Sequence, residues 1–321
     1  MRKRDEGSRY RRDFGSGAVM MNESRVLGIT DVLSQGSQLE YTVPEKSLER
    51  VGAFVDAQRS GSNQNAPVAP RLSSTVMLLR ERAHPQDGSS FAVFMQQRAS
   101  SMAFVPDAVV FPGGSFDAMD DTCEIPWEGP LPSQWAQRMG CSEDTARRAF
   151  VTAAREVFEE SGVLLARRKD GSELLNLAGS EELQSARSLL VGHKLAFGQL
   201  LSDMGLVLWT DLFCPCAHWV TPPSEPRRYS TFFFRAKMPQ GQCADGKTSE
   251  AVRTGWANPE WLLEQQRAGA LLIMPPTISN LCDLTQAQNV TEACAQRQTI
   301  HVYPEPTRKE DGTLVFRSVV R

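Results

Sequence analysis

"AAREVFEESGVLLA", residues Ala153 to Ala166, sets three glutamates within five positions of one short helical stretch. On a helix turning about 100° per residue, with Glu156 at zero, Glu159 falls near 300° and Glu160 near 40°. The three carboxylates span an arc of about 100°, while Phe150, Ala153, Val157 and Phe158 fill the arc from about 60° to 200°. One side of the helix is made for burial and another carries a stripe of acid. Arg155, four residues before Glu159, can pair with it and leaves two acids uncompensated. Such a stripe is either a solvated face or a set of hard oxygen donors for Mg²⁺ or Mn²⁺, whose binding relieves the repulsion. Gly162 ends the helix where a left-handed residue is wanted.

Outward from this helix, strands and helices mix without regular alternation or an internal repeat. STVMLLR (Ser74–Arg80) and FAVFMQQR (Phe91–Arg98) are β-rich runs flanking the turn-like AHPQDGSS (Ala83–Ser90), which predicts a hairpin. VVFPGG (Val109–Gly114) is a strand ending in a Pro-Gly-Gly bend. VLLA (Val163–Ala166), LVLWTDLF (Leu206–Phe213), AHWVTPP (Ala217–Pro223) and YSTFFFRAKM (Tyr229–Met238) add strands, and residues 181–205 carry helical patterns. WANPEWLLEQQRAG (Trp256–Gly269) predicts a late helix with Asn258 as cap and Gly269 as stop. The expected class is α+β, an α/β/α sandwich with a mixed sheet.

Residues 1–70 look like an extension, rich in Arg, Ser, Gly, Asn and Gln, mostly mobile or laid over the surface. A short amphipathic helix fits Pro44 to Gln58, where Leu48, Val51 and Val55 fall at helical spacing. The folded domain is then 71–321. The chain has 321 residues, 41% hydrophobic and 23% charged, enough for a sizeable core, and a net charge of −3. That balance argues against a general nucleic-acid binder. No apolar run approaches the roughly 18 residues of a membrane span. Seven scattered cysteines suggest reduced thiols, with the cytoplasm as the expected compartment.

The stretch Arg155 to Val163, REVFEESGV, resembles the second half of the Nudix box, R-E-U-x-E-E-x-G-U with U aliphatic. The first half, G-x5-E, is met by Gly114 and Asp120, an aspartate in place of the usual glutamate. From Asp120 to Arg155 the chain runs 35 positions where the box ordinarily has 8, so the box carries an insertion of 27, approximately residues 121–147. This interrupted box is similar to that of the coenzyme A diphosphatases of the nucleoside diphosphate-linked moiety X motif 19 type. So are QQRASSMAFVPDAVVFPGG (Gln96–Gly114), WVTPPSEPRRYSTFFF (Trp219–Phe234) and the segment from Ser249 through ANPEWLL to LIMPPT. The resemblance covers about residues 72–285 and says nothing of the extension.

The resemblance implies a Nudix fold and a diphosphatase acting on a small nucleotide substrate, most of all coenzyme A or an acyl-coenzyme A. The products would be 3′,5′-ADP and a 4′-phosphopantetheine. Glu156, Glu159 and Glu160 match the metal-binding acids, Gly114 the backbone ligand at the Gly113–Gly114 bend, and Arg155 the residue that orients the acids by pairing. The general base is a box glutamate or a later one, for which Glu250 is the candidate. Arg98, Arg227 and Arg228 are candidates for holding phosphate, since guanidinium forks suit its oxygens. ADP-ribose or NADH is the competing substrate class, and a nucleotide-sensing module without catalysis the competing role. Cys214-Pro-Cys216-Ala-His218 suggests a metal site, but no second ligand pair stands at zinc spacing, so structural thiols are expected. Phe104 and Phe111 are expected in the core, and His84, His193 and His301 suggest nothing by position.

Overall fold

A computed structural model describes residues 32–62, 66–82, 90–102, 105–172, 174 and 180–321. The hairpin turn, His84 and Phe104 of the sequence reading lie outside the described residues, as do residues 1–31. The first half of the chain forms β1 (Gln38–Thr42), α1 (Leu48–Arg59), β2 (Arg71–Glu81), β3 (Phe91–Arg98), β4 (Val109–Val110), β5 (Gly113–Ser115), β6 (Trp127–Glu128), α2 (Pro132–Met139) and α3 (Glu143–Ser161). Then follow β7 (Ala166–Arg168), α4 (Glu181–Val191), α5 (Phe197–Asp203), β8 (Leu206–Trp209), β9 (Phe213–Val220), β10 (Tyr229–Lys237) and β11 (Ala251–Ala257). The remainder is α6 (Pro259–Arg267), α7 (Pro275–Leu284), α8 (Val290–Ala293), β12 (Ile300–Val302), β13 (Glu305–Arg308) and β14 (Leu314–Val319).

Strand side chains alternate between faces, so apolar runs such as Val76–Leu79 must be covered on both sides. Val76, Leu78, Phe94, Phe232 and Phe234 face one core with Phe150, Ala153, Val157 and Phe158 of α3. Met77, Leu79, Val93 and Phe233 face a second core with Leu262 and Leu263 of α6 and Ile278 and Leu281 of α7. The sheet between them runs β11-β3-β2-β10-β9-β12. β10 is parallel to β2 and β12 parallel to β9, while β10 meets β9 antiparallel. This is an α/β/α sandwich around a mixed sheet, the class the pattern predicts. The insertion joins the first core: the Phe150 ring lies 5.6 Å from Trp127 and 4.8 Å from Trp135, centre to centre.

A wedge splits the first hairpin. β2 and β3 pair directly only over Leu79–Glu81 and Phe91–Val93. Below that they part, and the segment 109–115 enters, β4 pairing with β3 and β5 with β2. Gly113 sits opposite Thr75, and a Cβ there would lie 2.4 Å from the Ser74 carbonyl oxygen, so the closeness of this approach requires glycine.

Two sequence expectations need correction. Residues 38–59 fall within the stretch read as an extension, yet they belong to a folded unit: β1 pairs antiparallel with β14, and Val51 and Val55 of α1 pack on Leu314 and Phe316. Local sequence cannot show a partner strand that lies so far along the chain. Val163–Leu165 is not a strand; only Ala166 begins one. Leu164 instead bonds the Gln242 amide, its N–H donating to Oε1 and its carbonyl accepting from Nε2, both at 2.8 Å.

Candidate active site

Both ends of α3 are fixed locally. Ser142 Oγ accepts from the Thr145 amide at 3.2 Å, and Gly162, at φ 73°, donates its amide to the Phe158 carbonyl at the C-terminus. Arg187 of α4 braces the same end, donating to the Glu159 carbonyl at 2.9 Å while forming a bidentate pair with Asp245. Nothing in the local sequence marks Arg187 or Asp245 for this role.

Arg155 organises the acids more fully than helical spacing suggests. It is nearly buried, 5% exposed, and its Nε donates to Asp120 at 2.9 Å. Nη1 reaches Glu156 at 2.9 Å and Glu159 at 3.3 Å, and Nη2 donates to the Ser115 carbonyl at 2.8 Å. One guanidinium thus ties the helix to the wedge and to the acid at the far side of the insertion. Asp120 is delivered by a single 3₁₀ turn, Ala118–Asp121, capped by Asp117 Oδ1 accepting from the Met119 amide at 2.9 Å. Its partner is Arg155.

Glu160 turns the other way, into the wedge. Its Oε2 accepts from the Gly113 amide at 2.7 Å and the Gln96 side chain also bonds the carboxyl, while its Oε1 is buried without a partner of its own. Burial, with Glu156 beside it, pushes the Glu160 carboxyl well above the ordinary range. Burial also raises Glu156 to about 7, Arg155 pulling it down while Glu159 and Glu250 push it up. Glu159 and Asp120 are raised by burial as well, against the pull of Arg155. Gly114 leaves the Glu156 carboxylate its room: a Cβ at that position would stand 2.4–2.7 Å from it.

These features fit a hard divalent cation. A buried carboxylate oxygen without a partner and acids repelling one another are what such an ion relieves. Among the described residues no three His, Cys, Asp or Glu side chains stand so that they could together hold a metal ion. Arg155 holds Glu159 and part of Glu156, so the fit rests chiefly on Glu156 and Glu160 beside Gly114.

Glu250 joins this group from the loop before β11. It is exposed, and its charge acts on both Glu156 and Glu160. The Ala99 amide donates to its carbonyl at 2.9 Å, and the next residue, Ala251, lies opposite Arg98. Arg98 and Glu250 therefore share one edge of the site.

Arg228 is not brought to the acids. Its Nε donates to the Thr221 carbonyl at 3.0 Å and its Nη1 to the Val68 carbonyl at 2.8 Å, holding the turn into β10. Arg227 is exposed on the same turn, and β10 lies across β2 from the wedge strand β5. Phe111 is core, as expected.

The Cys-Pro-Cys-Ala-His run is not one site. A register shift opposite Phe233 and Phe234 interrupts β9, so Cys216 faces the second core while His218 stacks on Phe232, of the first core, across the sheet. Cys214 Sγ donates to the Ala295 carbonyl at 3.1 Å and Cys216 Sγ to the Phe233 carbonyl at 3.3 Å.

A family model described as the NUDT19 Nudix domain matches residues 136–284. The chain is 28% identical over 200 residues to nudix hydrolase 7 of Caenorhabditis elegans, covering 61% of this chain and 57% of that protein. It is 26% identical over 253 residues to the acyl-coenzyme A diphosphatase NUDT19 of Gallus gallus, covering 66% of each. These matches span between just over half and about two thirds of the relatives' lengths. Among solved structures it is similar to a NUDIX hydrolase from Alicyclobacillus acidocaldarius, with TM-score 0.57 and 26% identity over 71% of this chain and 96% of that one.

Proposed function

We propose that this chain, which is similar to Nudix hydrolases, hydrolyses the pyrophosphate bond of a small nucleotide-linked substrate. The substrate class is coenzyme A or an acyl-coenzyme A, giving 3′,5′-ADP and a 4′-phosphopantetheine product. The observation that carries this reading is the Glu160 carboxylate, buried beside Glu156, bound to Gly113 on one oxygen and unpartnered on the other. A merely solvated acidic stripe has no reason to bury its acids so.

Glu156, Glu159 and Glu160, with the backbone at Gly114, would hold Mg²⁺ or Mn²⁺. When bound, such an ion neutralises diphosphate charge and lowers the pKa of a bound water. Arg155 keeps Glu156 and Glu159 oriented and does not touch substrate. Glu250, exposed and within electrostatic reach of Glu156 and Glu160, takes the proton of the attacking water. Arg98, on the same edge, would meet a phosphate oxygen. The coenzyme A assignment rests on the similarity to the named chicken enzyme and on the shared interrupted box. Seven free thiols suit a reducing compartment, the cytoplasm in this reading. No helix among the described residues is long and apolar enough to cross a membrane.

The test is product analysis with coenzyme A, acyl-coenzyme A, ADP-ribose and NADH in Mg²⁺ and in Mn²⁺. Release of 3′,5′-ADP from the coenzyme A compounds is expected; cleavage of ADP-ribose with coenzyme A inert would overturn the substrate assignment. Glu160→Gln should lower turnover by at least roughly 100-fold, because it weakens charge stabilisation at the diphosphate. Unchanged turnover would leave Glu160 a buried structural acid with no part at the diphosphate.

A further inference from the structure

Away from the glutamates, three other side chains bring donor atoms together. His218 on β9 and His301, opposite it on the parallel strand β12, hold their Nδ1 atoms 3.1 Å apart. Tyr303 places its Oη 3.4 Å from the first and 3.5 Å from the second. The point equidistant from these three atoms lies about 1.9 Å from each, and zinc–imidazole bonds are about 2.0–2.1 Å. An ion at bonding distance from all three would sit within about 1 Å of their plane, leaving a fourth tetrahedral position toward solvent. In such a shell adjacent donors stand about 3.3 Å apart, a value the three observed separations bracket.

The surroundings suit that use. His218 Nε2 lies 2.8 Å from Ser230 Oγ, so the tautomer with its proton on Nε2 donates to the hydroxyl and keeps Nδ1 free of a proton. The His218 ring stacks on Phe232 with centroids 4.2 Å apart, which fixes its plane. His301 Nε2 is wedged against Gly140, the left-handed residue ending α2, where a Cβ would approach to 2.9 Å. Burial holds both imidazoles below their ordinary pKa, and the neutral ring is the ligating form. Tyr303, 40% exposed, leaves a path from solvent.

We propose that His218, His301 and Tyr303 form a second metal site, separate from the glutamates, which takes one zinc ion with water as its fourth ligand and clips β12 to β9. Imidazole nitrogen selects zinc over magnesium, which prefers an all-oxygen shell.

The experiment is calorimetric titration of Zn²⁺ into the full chain carrying Glu156→Gln and Glu160→Gln, in millimolar Mg²⁺, so that the glutamate cluster cannot supply the signal. One equivalent should bind. His301→Ala should remove it and Tyr303→Phe should weaken it by at least about tenfold. Co²⁺ in place of zinc should give the intense visible bands of a tetrahedral site, absent in His301→Ala. Mg²⁺-supported hydrolysis by the otherwise wild-type His301→Ala chain should be unchanged, which separates this site from the catalytic reading. Zinc bound equally by the His301→Ala and Tyr303→Phe chains, no zinc bound at all, or only weak octahedral cobalt bands would reduce the triad to a hydrogen-bonded histidine pair and overturn the proposal.

Discussion

Replacing Arg155 by lysine keeps the charge and removes the fork. The guanidinium serves four acceptors at 2.8–3.3 Å: Asp120, Glu156, Glu159 and the Ser115 carbonyl. These are reached through three different nitrogens, whereas an ammonium is a single point. At least two of the four bonds are therefore lost. A hydrogen bond to a charged group contributes about 1.5–3 kcal/mol, so Arg155→Lys should cost about 3–6 kcal/mol. That is a large part of the roughly 5–15 kcal/mol that holds an ordinary domain together. Urea unfolding followed by tryptophan fluorescence at neutral pH measures it directly. The loss should shrink when Mn²⁺ is added, because a cation on the released carboxylates takes over their compensation. A cost below about 1 kcal/mol, the worth of an exposed ion pair, would refute the idea that these acids are clamped in a dry site.

The adjacent glycines should separate stability from activity. Gly113→Ala sets a methyl against the Ser74 carbonyl oxygen and Thr75 Cα, at 2.4 and 2.7 Å, and should lower stability by about 1–3 kcal/mol in thermal melts. Gly114→Ala presses instead on the movable Glu156 carboxylate and should cost turnover far more than melting temperature. Glu250→Gln, at an exposed position, should leave the fold intact and lower kcat by about 10²–10⁴-fold; an unchanged kcat gives the base role to a helix glutamate. Burial beside His301 holds the His218 pKa down to about 4, while in the unfolded chain it titrates near 6.5. The unfolded state thus binds the extra proton between those values, so stability should fall as pH drops from about 6.5 to 4, by up to about 3 kcal/mol. In metal-free buffer His218→Gln should flatten that slope; an unaltered slope would show that His218 titrates normally.

Much of this could be read from the residues, and the failures have physical causes. Glu156, Glu159, Glu160 and Arg155 lie within one and a half helical turns, so their clustering follows from helix geometry alone. Asn258 caps its helix as its type predicts, and Gly162 takes its left-handed conformation. Glu250 was placed beside the acids only through the family resemblance. Residue type says nothing of where a long side chain goes, and two backbone carbonyls hold Arg228 at the turn into β10. The Cys-x-Cys-x-His run holds structural thiols as expected, and an irregularity in β9 decides which face each residue meets. His218 and His301 meet across adjacent strands 83 positions apart in sequence, which no local window contains.

The pairing of β1 with β14 bears on how this protein is made. Arg317 reaches Glu40 across 277 positions, so the first strand leaves the ribosome long before its mate exists. At about 5–20 residues per second the wait is on the order of tens of seconds. Throughout it, the apolar side of the following helix, with Val51 and Val55, has no Leu314 or Phe316 to cover it. Nascent chains stalled before residue 314 should accordingly be held by chaperones through this N-terminal segment and released once the last strand emerges.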